Sequence, residues 1–138
     1  MAERLHADDR EPDGTPLLDH VRRVAAAVGE EAVAVAWLHE ALEWTLISEH
    51  ALLDAGISSD ELRALRLLTR TCESRYDAHY LAHLELIAHA AGPSGRIARE
   101  VKIADLEDRA LHPCVRHDGW SPPYEAGLRL LRETLSIT

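Results

Sequence analysis

A chain of 138 residues that is 46% hydrophobic and 28% charged has an ordinary globular balance, and its length fits a single domain spanning 1–138 with a sizeable core. A formal net charge of −9 argues against a general binder of DNA, RNA or anionic membranes. It leaves room for a small phosphorylated ligand, because a metal or a few local arginines reverse the field within one cleft. No apolar run reaches the roughly 18 residues that span a bilayer. The polar, acidic start MAERLHADDR is unlike a signal peptide, so a cytoplasmic location is expected.

Helix signals follow one another along the chain. Thr15-Pro16 supplies an N-cap and a first-turn proline, and predicts a helix to Val28 with Gly29 as its stop. Residues 31–46, rich in Ala, Leu and Glu, read as the second helix. A short helix is expected over 48–55, ending at Gly56. Ser58 and Glu61 have capping-box spacing and open a helix through Thr69 or Arg70. Residues 76–91 form the next, ended by Gly92-Pro93, and another covers about 95–111. Ser121-Pro122-Pro123 opens the last, to about 135. No strand alternation or hairpin signal competes. The expected fold is an all-α, single-domain bundle of about seven helices. Cys72 and Cys114 form no CxxC and read as reduced thiols, with a single disulfide as the alternative. The sequence carries no signal of oligomeric state.

The stretch WLHEALEW, residues 37–44, places an imidazole and two carboxylates in an apolar segment. Burying such groups is costly unless something neutralises them. On a helix, residues three and four apart share a face, so His39, Glu40 and Glu43 can look into one cleft. His20, among Leu17, Leu18, Val21 and Val24, should point inward too, and Asp105 lies in the apolar run VKIADL. Two imidazoles and two carboxylates from three helices suit Mn, Fe or Zn, and a divalent ion would neutralise the buried carboxylates. The bland alternative is a set of hydrogen-bonded core residues, with Asp105 paired to Lys102 or Arg109.

The order His20 … His39-Glu40 … Asp105 resembles the His … His-Asp … Asp signature of HD-domain phosphohydrolases, and most of all their alarmone-hydrolase branch. DGTPLLDHVRRVA is similar to the segment around that family's first ligand. AVAWLHEALEW stands where its His-Asp motif stands, LLTRTCESRYDAHYLAHL resembles its L-T-R … S-Y-x-x-Y segment, and AREVKIADLEDRA its A-x-x-V-K-L-A-D-L-x-D-N segment. Together the likeness covers residues 6–112. It implies an all-α bundle holding one divalent ion, Mn²⁺ favoured with Fe²⁺, Zn²⁺ or Co²⁺ as alternatives, on His20, His39, Glu40 and Asp105. It implies Glu43 as the group that activates water, and a phosphorylated-nucleotide substrate whose leading candidate is the 3′-pyrophosphate of guanosine tetra- or pentaphosphate. Arg10, Lys102 and Arg109 are the expected phosphate contacts. Three departures stand out: Glu40 replaces Asp, Trp44 replaces the second carboxylate of a Glu-Asp pair, and Arg109 replaces Asn. A nucleoside monophosphate phosphatase of the same type is the runner-up. A non-catalytic protein that binds a metal or nucleotide is the rival from another class.

The remaining polar and aromatic residues have plainer readings. Trp44, Tyr76 and Tyr80 are expected to pack in the core. His79 and His83 form an HxxxH pair without the Glu of a zincin, and read as surface or cleft-rim residues. Arg22 and Arg23 read as a solvated face.

Overall fold

Seven α-helices and one 3-10 turn make up the regular structure of residues 17–39, 48–69, 77–111 and 122–136, the residues that the computed structural model describes. No strand occurs among them, so the all-α expectation holds. Helix α1 covers Leu17–Ala26 and buries one face through His20, Val21, Val24 and Ala25. Its start at Thr15-Pro16 lies outside the described residues. It ends two residues before the predicted Val28, and Gly29 is not its left-handed stop. Gly29 has φ −72 and ψ 167, an extended conformation that leads into a 3-10 turn over Glu30–Ala32. Its N–H donates to Glu100 Oε1 at 2.5 Å.

The predicted second helix therefore starts later in true α form. No side chain caps Gly29, and the chain tightens into the 3-10 turn before α2, Val33–Leu38, begins. Residues 40–47 lie outside the described set. Helix α3, Glu49–Asp54, is capped by Ser48, whose Oγ accepts from Ala51 N–H at 3.1 Å; Gly56, at φ 102, lies just past its end. Helix α4, Ser59–Leu68, carries the anticipated capping box: Glu61 N–H donates to Ser58 Oγ at 3.1 Å, and Ser58 N–H donates to Glu61 Oε1 at 2.8 Å.

Helices α5, Asp77–His89, and α6, Gly92–Leu111, meet at a tight corner. Gly92-Pro93 stops the one and starts the other, since Gly92 adopts φ 73 and Pro93 fits a first helical turn. Helix α6 thus begins three residues earlier than the sequence predicted. Helix α7, Pro122–Ser136, closes the bundle. Helix α6 is the hub, touching α1, α2, α4, α5, α7 and the 3-10 turn. The core it centres on includes Val24, Val35, Leu52, Leu65, Leu84, Ile87, Val101, Leu106 and Leu131. Tyr80 is part of that core, as expected. No helix among the described residues is long and apolar enough to cross a membrane.

The α5–α6 corner depends on Gly95. A Cβ there would stand 2.1 Å from the Ala90 carbonyl oxygen, far inside contact distance and against backbone that cannot rotate away. Alanine is the better helix former by about 1 kcal/mol, but overpacking costs about 1–3 kcal/mol. Gly95→Ala should therefore lose up to about 2 kcal/mol net in chemical denaturation. An unchanged or raised midpoint would show that the corner yields freely.

Candidate metal centre

Three helices each contribute one group to a buried polar cluster. His20 comes from the inward face of α1 and is 0% exposed. His39 is the residue that ends α2, and Asp105 sits midway along α6. The inward-pointing spacing around His20 and the apolar run around Asp105 had marked both. One ligand atom from each lies within 4.8 Å of the other two. His20 Nε2 is 2.8 Å from Asp105 Oδ1, and His39 Nε2 is 3.5 Å from the same oxygen. The two rings meet edge to face, with centroids 5.5 Å apart.

The tautomers follow from the partners. His39 Nδ1 lies 2.6 Å from the Ala36 carbonyl oxygen, which only accepts, so Nδ1 carries the proton. In the neutral ring, Nε2 then presents a lone pair to the Asp105 carboxylate. Two acceptors face one another, an arrangement that calls for a positive species between them. His20 lies between two carboxylates: Nε2 against Asp105, and Nδ1 against Asp108 Oδ2 at 2.7 Å. The imidazolium form can donate to both.

Asp105 gathers further positive partners. Lys102 Nζ lies 3.1 Å from Oδ2, and Arg109 Nε lies 3.1 Å from Oδ1. The ion-pair reading of these two cations is the one the geometry displays. Lys102 Nζ also stands 5.8 Å over the Tyr80 ring. Burial by itself would raise the Asp105 carboxyl, but Lys102, Arg109 and the two imidazoles outweigh it and hold the group well below the ordinary carboxylate range. Burial pushes His20 down, yet its bonds to Asp105 and Asp108 leave it above 6.5. For Asp108, burial is again outweighed, by His20 and Arg23, and the carboxyl is drawn down to about 2.

Asp108 and Arg23 had no role in the sequence reading. Arg23, placed there on a solvated face, instead bonds Asp108 twice, Nε to Oδ1 at 2.6 Å and Nη2 to Oδ2 at 3.1 Å. Arg22 does face solvent, 3.8 Å from Asp19. The missed signal was spacing: Asp105 and Asp108 are three apart on α6, as His20 and Arg23 are on α1, so each pair shares a face. Glu40, Glu43, Trp44 and Arg10 lie outside the described residues.

The donor set fits a divalent ion. Ligands bound at about 2.0–2.2 Å in neighbouring positions stand roughly 2.9–3.5 Å apart. The two separations to Asp105, 2.8 and 3.5 Å, bracket that range with little movement. Two imidazoles and one carboxylate suit Zn²⁺, Mn²⁺, Fe²⁺ and Co²⁺. An ion must displace the proton from His20 Nε2 and compete with Lys102 and Arg109 for Asp105.

These shifts give the ion-free protein a stability plateau. Asp108 has a depressed folded pKa, so its contribution is present above pH 3.8 and disappears as pH falls toward about 2. His20 has a raised folded pKa, so its contribution is full below pH 6.5 and is lost as pH rises through the folded value. The acid limb should be worth on the order of 2 kcal/mol. Urea midpoints from pH 2 to 9 will show a maximum between about 4 and 6.5. His20→Gln should abolish the alkaline limb, and an alkaline limb that survives would assign it to another group.

No family model matches the chain, and no curated protein is significantly similar to it.

Proposed function

We propose that the protein is a divalent-metal-dependent phosphohydrolase of HD type acting on a phosphorylated nucleotide. The observation that carries this reading is the convergence of His20, His39 and Asp105, from three helices, on one buried point. The same three residues are among those that carry the sequence resemblance. A bound ion would supply a water of lowered pKa and polarise a phosphoryl oxygen. Glu43, one turn beyond His39 in sequence, would accept the water's proton. Lys102 and Arg109 both hold Asp105, and because an ammonium or a guanidinium carries several donors, either could bridge that carboxylate and a phosphate. The 3′-pyrophosphate of guanosine tetra- or pentaphosphate is the leading substrate and a nucleoside monophosphate the second.

One observation favours a rival. Asp105 already receives Lys102, Arg109 and His20, whose charges offset its own as in a structural ion-pair centre without catalysis. The two readings differ in what an ion does. If the site takes a metal, Zn²⁺ or Mn²⁺ at 100 times its Kd should stabilise the fold by about 2.7 kcal/mol. His39→Ala should abolish that shift. A melting temperature indifferent to Mn²⁺, Zn²⁺, Fe²⁺ and Co²⁺ favours the structural centre. With ion loaded, product analysis on guanosine tetraphosphate and on nucleoside monophosphates separates pyrophosphate release from orthophosphate release. Binding without turnover points to the non-catalytic member of the class.

A further inference from the structure

Asp108 is buried beside the candidate ligands, yet the ligand set does not use it. It is 8% exposed, against 7% for His39 and 3% for Asp105. Its Oδ2 lies 2.7 Å from His20 Nδ1, the ring nitrogen turned away from Asp105. Arg23, one turn along α1 from His20, holds the same carboxylate through two bonds. Two pairs with i, i+3 spacing, His20 with Arg23 and Asp105 with Asp108, therefore interlock across the α1–α6 contact. We propose that Asp108 is a positioning residue for His20: it holds the ring proton on Nδ1 and so leaves Nε2, the nitrogen that faces Asp105 and His39, as the one that would meet an ion.

The chemistry is that of a hydrogen-bonded tautomer. A histidine that ligates through one nitrogen must hold its proton on the other, and whatever accepts that proton selects the ligating atom. A carboxylate can only accept, so Asp108 holds a proton on Nδ1; Asp105 does the same at Nε2 in the ion-free protein, and a bound ion would take the place of that second proton. An amide in its place can turn its NH₂ toward Nδ1, donate, and move the ring proton to Nε2, where the lone pair is lost. Arg23 fixes the carboxylate's orientation and leaves Asp108 ionised. The consequence for metal affinity rests on the proposed metal reading; the Asp108–Nδ1 hydrogen bond does not.

The test uses Asp108→Asn, Asp108→Glu and Arg23→Gln in the full chain, with Zn²⁺ alone as the probe. Chelator competition should give Asp108→Asn an affinity 10–100-fold weaker, the usual effect of losing such a carboxylate. Asp108→Glu, which keeps an acceptor, should restore most of it. Histidine ¹⁵N shifts of ion-free protein, at a pH where the wild-type His20 ring is an imidazolium, should show a proton on Nδ1 in wild type and none there in Asp108→Asn. A folded Asp108→Asn with wild-type Zn²⁺ affinity, or with the proton still on Nδ1, overturns the proposal. If wild type takes up no Zn²⁺, the metal reading fails, and the ¹⁵N shifts alone decide the role of Asp108. If Asp108→Asn does not fold, Arg23→Gln decides: a several-fold loss of Zn²⁺ affinity supports the proposal and no change refutes it.

Discussion

Replacing Asp105 with Asn should destabilise the ion-free protein by about 3–5 kcal/mol, the cost of breaking a buried ion pair by removing one partner. Asn keeps the volume and removes the charge. Lys102, Arg109 and the His20 imidazolium then lose the carboxylate that neutralises them. Relief is available in part. The Arg109 side chain is 19% exposed and Lys102 10%, so both can extend toward water, which points to the lower end of the range. His20 cannot move out, being fully buried, and must shed its proton instead. Lys102→Met should cost less than Asp105→Asn, because Asp105 retains Arg109 and His20. Equilibrium urea denaturation at pH 6 measures both, and the expected order is reversed if Lys102 rather than Asp105 is the centre of the network. An Asp105→Asn protein within about 1 kcal/mol of wild type would mean that the cluster contributes little, as solvated pairs do.

Arg99→Met should cost about 2–3 kcal/mol, for a reason unconnected with the site. Arg99 is 3% exposed, and the described residues give it no carboxylate partner. Its Nη1 donates to the Ala90 carbonyl at 2.7 Å, with longer approaches of 3.3 and 3.5 Å to the Ala88 and Ile87 carbonyls. These are carbonyls at the C-terminal end of α5 and just beyond it, where helical donors run out and Ile87 keeps only a long bond from Ala90 N–H at 3.4 Å, and a cation there also meets the negative end of the helix dipole. Methionine fills the space but leaves the Ala90 oxygen without its charged donor, a penalty of about 1–3 kcal/mol for one buried group. Gly95 and Arg99 are one turn apart and both address Ala90. Their substitutions should therefore be non-additive, with a coupling of 0.5 kcal/mol or more in a double-mutant cycle. Strict additivity would separate the two contacts.

The amino-acid sequence alone carried the class of fold and most element ends, because those depend on neighbours a few residues apart. The Ser58–Glu61 box, the glycine after α3 and the Gly92-Pro93 corner are local chemistry, and each sits where the residues put it. It also picked out His20, His39 and Asp105, since polar groups inside apolar runs must be neutralised by something. Their meeting was decided by tertiary structure, because α1, α2 and α6 are far apart in the chain and only packing on the α6 hub brings them together. Gly29 shows the same limit in a backbone: its extended conformation belongs to a contact with Glu100, 71 residues away, and no local rule for helix stops contains that. The partners of the site followed the same logic. Whether Lys102 and Arg109 face Asp105 or a cleft, and whether Arg23 faces water or Asp108, depends on the rotation of one helix against another. Helical periodicity gives the angle between residues on one helix. The angle between helices is set by the whole core at once, and that is why Asp108 emerged only from the folded chain.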